Sequence, residues 1–193
     1  MAAWRRGTLR AGPTPPAGMV VKVGGSLLDL QSWPERLAEL IGCLDFEPLA
    51  PLFVVGGGRV VDGLRELDAA RPRPPALMHD LAIDAMSLTA RIVADALGMP
   101  VVSQATATGV LDAATWLRST GRAARLPAGW HVTSDSIAAL VAAETGRGLL
   151  LAKRTPPPEG GYDLERIAAA GWVDAHFPVA AATVATITWT APA

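Results

Sequence analysis

The chain has 193 residues, 50% of them hydrophobic, which is enough for one substantial core. Its net charge of -1 gives no electrostatic reason to expect a nucleic acid or an anionic membrane surface as a partner. The only cysteine, Cys43, excludes an intrachain disulfide and a cysteine metal cluster, which suits a reducing cytoplasm. No apolar run approaches the roughly 18 residues that a membrane-spanning helix needs. We therefore expect a cytoplasmic protein that acts on a small molecule.

The first predicted element is a strand in the stretch VVKVGGSLLD. Residues 1–18 precede it; they lack the apolar segment of a signal peptide, and we expect a flexible tail there. Residues 19–193 are expected to form a single domain, because no repeat or linker interrupts them. Lys22 is costly to bury inside a strand, so we expect it to meet an anionic group. Lys22 and Lys153 are the only lysines among 17 basic residues, which makes both candidates for phosphate contacts.

The rest of the chain alternates helical and strand patterns, which predicts an α/β sheet covered by helices. Apolar periodicity and stop signals predict helices over residues 33–44, 59–70, 76–97, 136–144 and 163–170. Short apolar runs predict strands over residues 51–58, 99–103, 130–135, 148–153 and 182–189. The helix over 59–70 is predicted to have one apolar stripe, and TPPPEGG is predicted to be a loop.

Two of these strands, VVKVGGS and FVVGGG, end in glycine clusters that are predicted to meet at one edge of the sheet. Glycine lets phosphate oxygens approach the backbone, and a following helix adds the partial positive charge of its N-terminus. Neither the Walker pattern nor GxGxxG is present, so the usual phosphate motifs do not account for the pair. The candidate phosphate-binding residues are Gly24, Gly25, Ser26, Gly56, Gly57 and Gly58.

A polar cluster in the stretch WHVTSDSIA separates a predicted strand from a predicted helix. Asp135 in this cluster has two interpretations: a functional carboxylate or an ordinary helix N-cap. A metal site formed by His79, Asp80 and Asp84 is rejected, because these donors share one helix face only in part. Any magnesium is expected to arrive with a nucleotide, held by phosphate oxygens and water.

Four segments in a fixed order resemble the amino acid kinase family, which includes aspartate, glutamate and uridylate kinases: VVKVGGSLLD, VVGGGRVVDGLRELD, HDLAIDAM and WHVTSDSIA. Within it they look most like the small branch that phosphorylates aminomethylfuran-methyl phosphate in methanofuran biosynthesis. The resemblance covers about residues 19–178 and includes GWVDAHFP. It implies a three-layer αβα sandwich with a mainly parallel central sheet, in which one half of the sheet edge holds the acceptor and the other holds ATP.

The resemblance also implies roles for individual residues. Lys22 would contact the transferring phosphoryl group, and Asp135 would orient this lysine or the magnesium carried by ATP. Arg65 and His79 would bind the acceptor, because a guanidinium suits a phosphate already on the substrate. Ser134 and Lys153 would contact the nucleotide. Structural alternatives stay open: Arg65 on a solvated helix face, and His79 as a hydrogen-bonded structural residue.

The sequence departs from the family at two positions. Relatives carry a TDVDG-like turn where this chain has KRTPPPEGG, and they have a second catalytic lysine after the FP of the late connection, where this chain has none. Lys153 could replace that lysine. Three functions therefore stay open: a small-molecule kinase, a nucleotide- or phosphate-binding regulatory or assembly subunit that no longer transfers phosphate, and an acyl-phosphate-forming amino acid kinase. Assembly into a homo-oligomer is also left open.

Overall fold

The computed structural model describes residues 4–13, 16–44, 49–119, 121–156 and 163–193. Within these ranges the strands are β1 Trp4–Arg10, β2 Met19–Val23, β3 Leu52–Val55, β4 Val101–Val102, β5 Gly109–Leu111, β6 Gly148–Ala152 and β7 Ile187–Pro192. The helices are α1 Trp33–Gly42, α2 Gly58–Ala70, α3 Pro75–Leu97, α4 Ala113–Ser119, α5 Ser134–Thr145, α6 Leu164–Ala169 and α7 Phe177–Ala180. Short 3-10 helices cover Gly25–Asp29 and Arg122–Arg125.

The strands form one sheet in the order β1-β7-β6-β2-β3-β5-β4. Every neighbouring pair is parallel except β1 and β7, which are antiparallel. β2 lies at the centre between β6 and β3, and all three are buried except for half-buried Met19 at the start of β2, which explains their continuous apolar sequences. The predicted α/β class with a mainly parallel sheet is confirmed.

The side chains of the central strands point alternately to two apolar cores, one on each face of the sheet. Val20 and Val54 belong to a core that includes much of α5, whereas Val21 and Val55 belong to a core with α1. Because side chains alternate along a strand, Lys22 points to the same face as Val20. The helices therefore cover both faces, which gives three layers and directs Lys22 towards α5.

The predicted helices are present, with small differences at their ends. α1 ends at Gly42 rather than at residue 44, and α3 begins at Pro75, where proline suits the first turn of a helix. The apolar stripe predicted on α2 is covered only in part: Val61 and Leu64 are half-buried, whereas Leu67 is 68% exposed. Asp163 caps α6 as predicted, accepting a hydrogen bond from the Glu165 backbone N–H at 3.0 Å.

The N-terminal segment differs from the prediction of a flexible tail over residues 1–18. Trp4–Arg10 form β1, which pairs with β7 at the edge of the sheet. Leu9 is buried, and the Arg10 guanidinium donates to the carbonyl oxygens of Ala181 and Val184 at 2.7 and 3.0 Å. The sheet therefore begins before residue 19.

Three predicted strands are corrected, and one predicted loop can be tested only in part. Residues 130–135 are not a strand, because His131 is exposed and α5 begins at Ser134. The strand predicted over 99–103 is reduced to the two residues of β4, and the last strand begins at Ile187 rather than at residue 182. Residues 157–161 of the predicted TPPPEGG loop lie outside the described residues. None of the described helices is long and apolar enough to cross a membrane.

Candidate functional site

Asp135 lies between the two lysines of the chain. Its Oδ1 is 2.8 Å from Lys22 Nζ, and its Oδ2 accepts a hydrogen bond from Lys153 Nζ at 2.6 Å. The side chains are only 5% exposed for Lys22, 6% for Asp135 and 14% for Lys153. Two ammonium groups thus share one carboxylate in a nearly dry place, and a second carboxylate, that of Asp174, is close enough to raise the pKa of Lys22.

Three separate elements bring this cluster together. Lys22 lies in β2 and points towards α5, Asp135 lies in the first turn of α5, and Lys153 directly follows β6. β6 pairs with β2 in parallel, so Lys22 lies opposite Leu151, and the chain reaches Lys153 two residues later. The cluster therefore lies at the carboxyl edge of the sheet, where ligands of open α/β sheets bind.

The N-cap interpretation of Asp135 is wrong. The capping residue of α5 is Thr133, whose side chain accepts from the Asp135 backbone N–H. This leaves the Asp135 carboxylate for the two lysines. Its place in the first turn is also favourable, because the partial positive charge of a helix N-terminus stabilises a carboxylate.

Burial and charge act in opposite directions on this cluster. Burial lowers the pKa of Lys22 to about 8, although the charge of Asp135 raises it in part. Burial alone raises the pKa of Asp135, but Lys153 and Lys22 outweigh it and lower that pKa to about 2. Asp135 is therefore ionised at neutral pH, and Lys22 loses its proton more readily than an ordinary lysine.

Lys153 has two more contacts, both with tryptophans. Its Nζ donates to the carbonyl oxygen of Trp172 at 2.9 Å and lies 5.4 Å from the centroid of the Trp189 ring. These contacts hold the ammonium at Oδ2 of Asp135, whereas Lys22 lies at Oδ1. The sequence analysis assigned Lys153 to the nucleotide, and the structure places it in the same cluster as Lys22.

Asp174 is a polar residue of the site that the sequence analysis did not single out. Its carboxylate accepts hydrogen bonds from the backbone N–H groups of Thr133 and Ser136, both at 3.0 Å, and from the Thr133 hydroxyl at 2.8 Å. It therefore fixes the segment that carries Asp135. Its signal was present in GWVDAHFP, a stretch that was included in the family resemblance without a role for its aspartate.

The two glycine loops pack directly against each other. A Cβ on Gly25 would lie 2.4 Å from the Gly58 backbone nitrogen, and a Cβ on Gly56 would lie 2.9 Å from the Gly25 backbone nitrogen. These glycines are therefore required by the packing of backbone on backbone. Gly24 is next to the lysine cluster, since a Cβ there would lie 3.0 Å from the Ala152 carbonyl oxygen.

A cavity of about 230 Å³ opens beside the glycine loops. Eight predicted site residues line it: Gly25, Ser26, Gly56, Gly57, Gly58, Arg65, His79 and Ser134. Lys22, Asp135, Lys153 and Gly24 are not among its lining residues. The predicted site residues thus form two adjoining groups, a cavity and a buried charged cluster, connected by the sequence neighbours Ser134 and Asp135.

Arg65 and Trp130 form one wall of the cavity. The guanidinium carbon of Arg65 lies 5.2 Å from the centroid of the Trp130 ring, and Arg65 also pairs with Asp62 at 3.0 Å. The Trp130 indole donates to Asp68 at 2.7 Å, which ties the loop before α5 to α2. Arg65 is thus held at the cavity, although its side chain remains 44% exposed.

His79 lies on the α3 side of the same cavity and is buried. Its Nδ1 is 3.3 Å from the carbonyl oxygen of Gly129. Both predicted acceptor-binding residues therefore reach one cavity from two different helices. In the part of the chain that the structure describes, no group of three or more His, Cys, Asp or Glu residues is placed to hold a metal ion.

Comparison with known proteins gives structural matches only. No protein-family model and no curated protein matches the chain. The uridylate kinase of Archaeoglobus fulgidus matches with a TM-score of 0.57 and 14% identity, over 90% of each chain. The UMP kinase of Bacillus anthracis gives 0.49 and 18% identity, over 73% of this chain and 66% of the other. Aspartate kinase of Synechocystis gives 0.46 and 16% identity over 72% of this chain, which spans only 29% of that kinase. The first match shows that this chain shares the fold of that uridylate kinase.

Proposed function

We propose that this protein belongs to the amino acid kinase family and transfers a phosphoryl group from ATP to a small-molecule acceptor. One observation carries the proposal: Asp135 holds Lys22 and Lys153 together at the carboxyl edge of the sheet, beside a glycine-lined cavity. Two buried ammonium groups held in this way are suited to the negative charge of a transferring phosphoryl group. The fold shared with uridylate kinase supports the same conclusion.

In this proposal the protein contributes position and charge rather than covalent chemistry. Lys22 and Lys153 contact phosphate oxygens, while Asp135 holds their two ammonium groups next to each other. Lys153 takes the place of the late lysine that is missing after FP in this sequence. Ser134 stands between the cavity and the cluster and contacts the nucleotide. Magnesium arrives bound to ATP, held by phosphate oxygens and water. The described residues include no group of three or more His, Cys, Asp or Glu that could bind it.

The acceptor occupies the cavity in this proposal. Arg65 supplies a guanidinium for a phosphate, which favours a phosphate-bearing acceptor such as aminomethylfuran-methyl phosphate, and so a role in methanofuran biosynthesis. An acyl-phosphate-forming kinase would use the same cavity with a carboxylate acceptor. Arg65→Ala distinguishes these two kinases. If the acceptor bears a phosphate, this variant raises the KM for the acceptor far more than the KM for ATP.

A second function is favoured by the burial of the cluster. The Lys22 side chain is only 5% exposed, and Lys22 does not line the cavity. KRTPPPEGG also replaces the family's turn at the nucleotide. These observations suit a protein that binds nucleotide or phosphate and regulates or assembles with another protein, without transferring phosphate.

Turnover separates the two functions. Purified protein with Mg-ATP is supplied with aminomethylfuran-methyl phosphate, UMP, aspartate or glutamate, and ADP formation is followed. We expect acceptor-dependent ADP formation that Lys22→Met lowers by about 10²–10³-fold, because a charge aimed at the phosphoryl group is lost. Arg118→Met, which breaks only a surface pair with Asp84, is the matched control. Unchanged turnover in Lys22→Met would contradict the kinase mechanism, and ADP formation with none of these acceptors would favour the second function.

A second copy of this chain is the proposed macromolecular partner. α3 exposes four apolar side chains by 37–56%: Leu77, Leu81, Leu88 and Ile92. Their spacing places them on one face of the helix. If two α3 helices pack antiparallel, Leu77 and Leu81 of one copy face Ile92 and Leu88 of the other, and Asp80 faces Arg91.

The single cysteine also suits the proposed location in the cytoplasm.

A further inference from the structure

The His79 ring has one nitrogen whose protonation is determined by its neighbour. Nδ1 lies 3.3 Å from the carbonyl oxygen of Gly129. A carbonyl oxygen can only accept a hydrogen bond, so Nδ1 must carry the proton and donate. Gly129 is held in place for this contact, because the indole of the next residue, Trp130, donates a hydrogen bond to Asp68 of α2.

The other nitrogen of His79 has no partner. Burial lowers the pKa of this histidine, and the contact with Gly129 opposes that shift only in part. A neutral ring that is protonated at Nδ1 leaves a bare lone pair on Nε2. Nε2 is buried and has no hydrogen-bond partner among the residues that the structure describes. A buried acceptor without a partner destabilises the folded chain, so a partner supplied by a ligand would explain why it is there.

The surroundings of His79 indicate what kind of ligand this is. Ile83 and Met86, one and two turns further along α3, line the same cavity and offer apolar contacts. Arg65 and Trp130, which line the same cavity, offer a cation and an aromatic face. The nearest carboxylate on that wall, Asp62, is already paired with Arg65 at 3.0 Å. The cavity thus combines an apolar wall with a hydrogen-bond acceptor at His79.

We propose that His79 Nε2 accepts a hydrogen bond from a hydroxyl or amine group of the ligand that fills this cavity. The ligand therefore joins a compact apolar body to a hydrogen-bond donor, and the donor points to α3 while any anionic group points to Arg65. This inference rests on the proposed function only where it equates the ligand with the phosphoryl acceptor.

The tautomer is tested first, by nitrogen NMR on protein labelled with ¹⁵N-histidine. The chain has only three histidines, and His79→Gln assigns the signal of interest. The expected spectrum at pH 7 shows His79 protonated at Nδ1 and bare at Nε2. A spectrum with the proton on Nε2, or on both nitrogens, would overturn the proposal, because Nε2 could then not accept.

Binding of defined probes is tested next, by following the His79 Nε2 signal and the dissociation constant. The probes are benzyl alcohol, benzylamine and benzyl methyl ether, which has the same apolar body but no donor group. We expect the alcohol or the amine to bind about five- to tenfold more tightly than the ether and to shift the Nε2 signal. If benzyl alcohol binds more tightly than benzylamine, the donor of the ligand is a hydroxyl; if benzylamine binds more tightly, it is an amine.

Variants show whether His79 causes that preference. His79→Phe is expected to remove it, His79→Gln to restore part of it through the amide oxygen, and His131→Phe, at an exposed histidine of the adjoining loop, to leave it unchanged. Equal binding of ether and alcohol, or binding of none of the probes, would overturn the proposal. None of these measurements needs ATP, so a protein that prefers the donor probes but fails to form ADP keeps this inference and loses the kinase function.

Discussion

Lys22 combines two properties that rarely occur together, a place in a central strand and a charged side chain that is almost fully buried. Asp135 offsets part of the cost of burial, but the pKa of Lys22 still falls to about 8, because desolvation is the larger effect. A lysine with this pKa binds fewer protons folded than unfolded between about pH 8 and 10.5, so its contribution to stability rises with pH through that window.

Lysine NMR measures this pKa directly. Protein labelled at lysine gives only two side-chain signals, from Lys22 and Lys153, and Lys153→Met assigns them. We expect Lys22 to titrate near pH 8 and to titrate higher in Lys153→Met, because the charge of Lys153 lowers the pKa of Lys22. An ordinary midpoint above pH 10 in the unaltered protein would show that the ammonium is solvated and that the cluster is not dry.

The cost of removing Asp135 is the second prediction at this scale. Asp135→Asn keeps the shape but leaves two buried ammonium groups without their counterion, so we expect a loss of about 3–5 kcal/mol in the free energy of unfolding. Asp84→Asn, which removes a surface partner of Arg118, is expected to cost less than about 1 kcal/mol. Urea denaturation measures both, and equal costs would contradict the account.

The stability that Asp135 contributes depends on pH with a definite sign. The pKa of Asp135 is lowered to about 2 from its usual 3.8, so its stabilisation is present above pH 3.8 and is lost as the pH falls towards 2. The difference in stability between the unaltered protein and Asp135→Asn should therefore shrink over that range.

Among the elements, α3 serves both the site and the surface. Its inner face carries His79, Ile83 and Met86 to the cavity, while its outer face exposes Leu81 and Leu88. If that outer face joins two copies, Leu81→Glu combined with Leu88→Glu should convert a particle with the mass of two chains into a single chain. Light scattering coupled to gel filtration measures the mass, and Leu67→Glu on α2 is the control. An unaltered protein with the mass of one chain at all concentrations would contradict the proposal.

The elements also show which parts of the fold could be predicted from sequence. β2, β3 and β6 were recognised because strands buried on both faces have continuous apolar runs. β1 was missed because WRRGTLR has only one buried residue, Leu9, and an edge strand with arginines on its exposed positions has no such signal. The stripe on α2 was predicted from periodicity, which shows only that one face is apolar and not how far that face is covered, and Leu67 on it is exposed.

The site was predicted in part for the same reason. Lys22 and the glycine loops lie next to strands whose ends could be located, so their meeting at one edge of the sheet followed from topology. The partners of Asp174 could not be predicted, because Thr133 and Ser136 lie 38–41 residues away and only tertiary packing brings them together. The pairing of Lys153 with Asp135 likewise depends on β6 lying beside β2.

At the scale of the whole molecule, two sites share one sheet edge. The cavity of about 230 Å³ is built from α2, α3 and the glycine loops, and the charged cluster is built from β2, β6 and α5. Ser134 lines the cavity, and its sequence neighbour Asp135 belongs to the cluster. A kinase needs a nucleotide on the cluster and an acceptor in the cavity at the same time, so nucleotide binding at the cluster is the central claim.

Calorimetric titration with Mg-ATP tests that claim most directly, on the unaltered protein, on Lys153→Met and on the control Arg154→Met at the exposed neighbouring residue. The account predicts saturable binding that Lys153→Met weakens by at least about tenfold, a loss of about 1.4 kcal/mol, while Arg154→Met binds as the unaltered protein does. No binding to the unaltered protein, or equal binding to it and to Lys153→Met, would contradict the account.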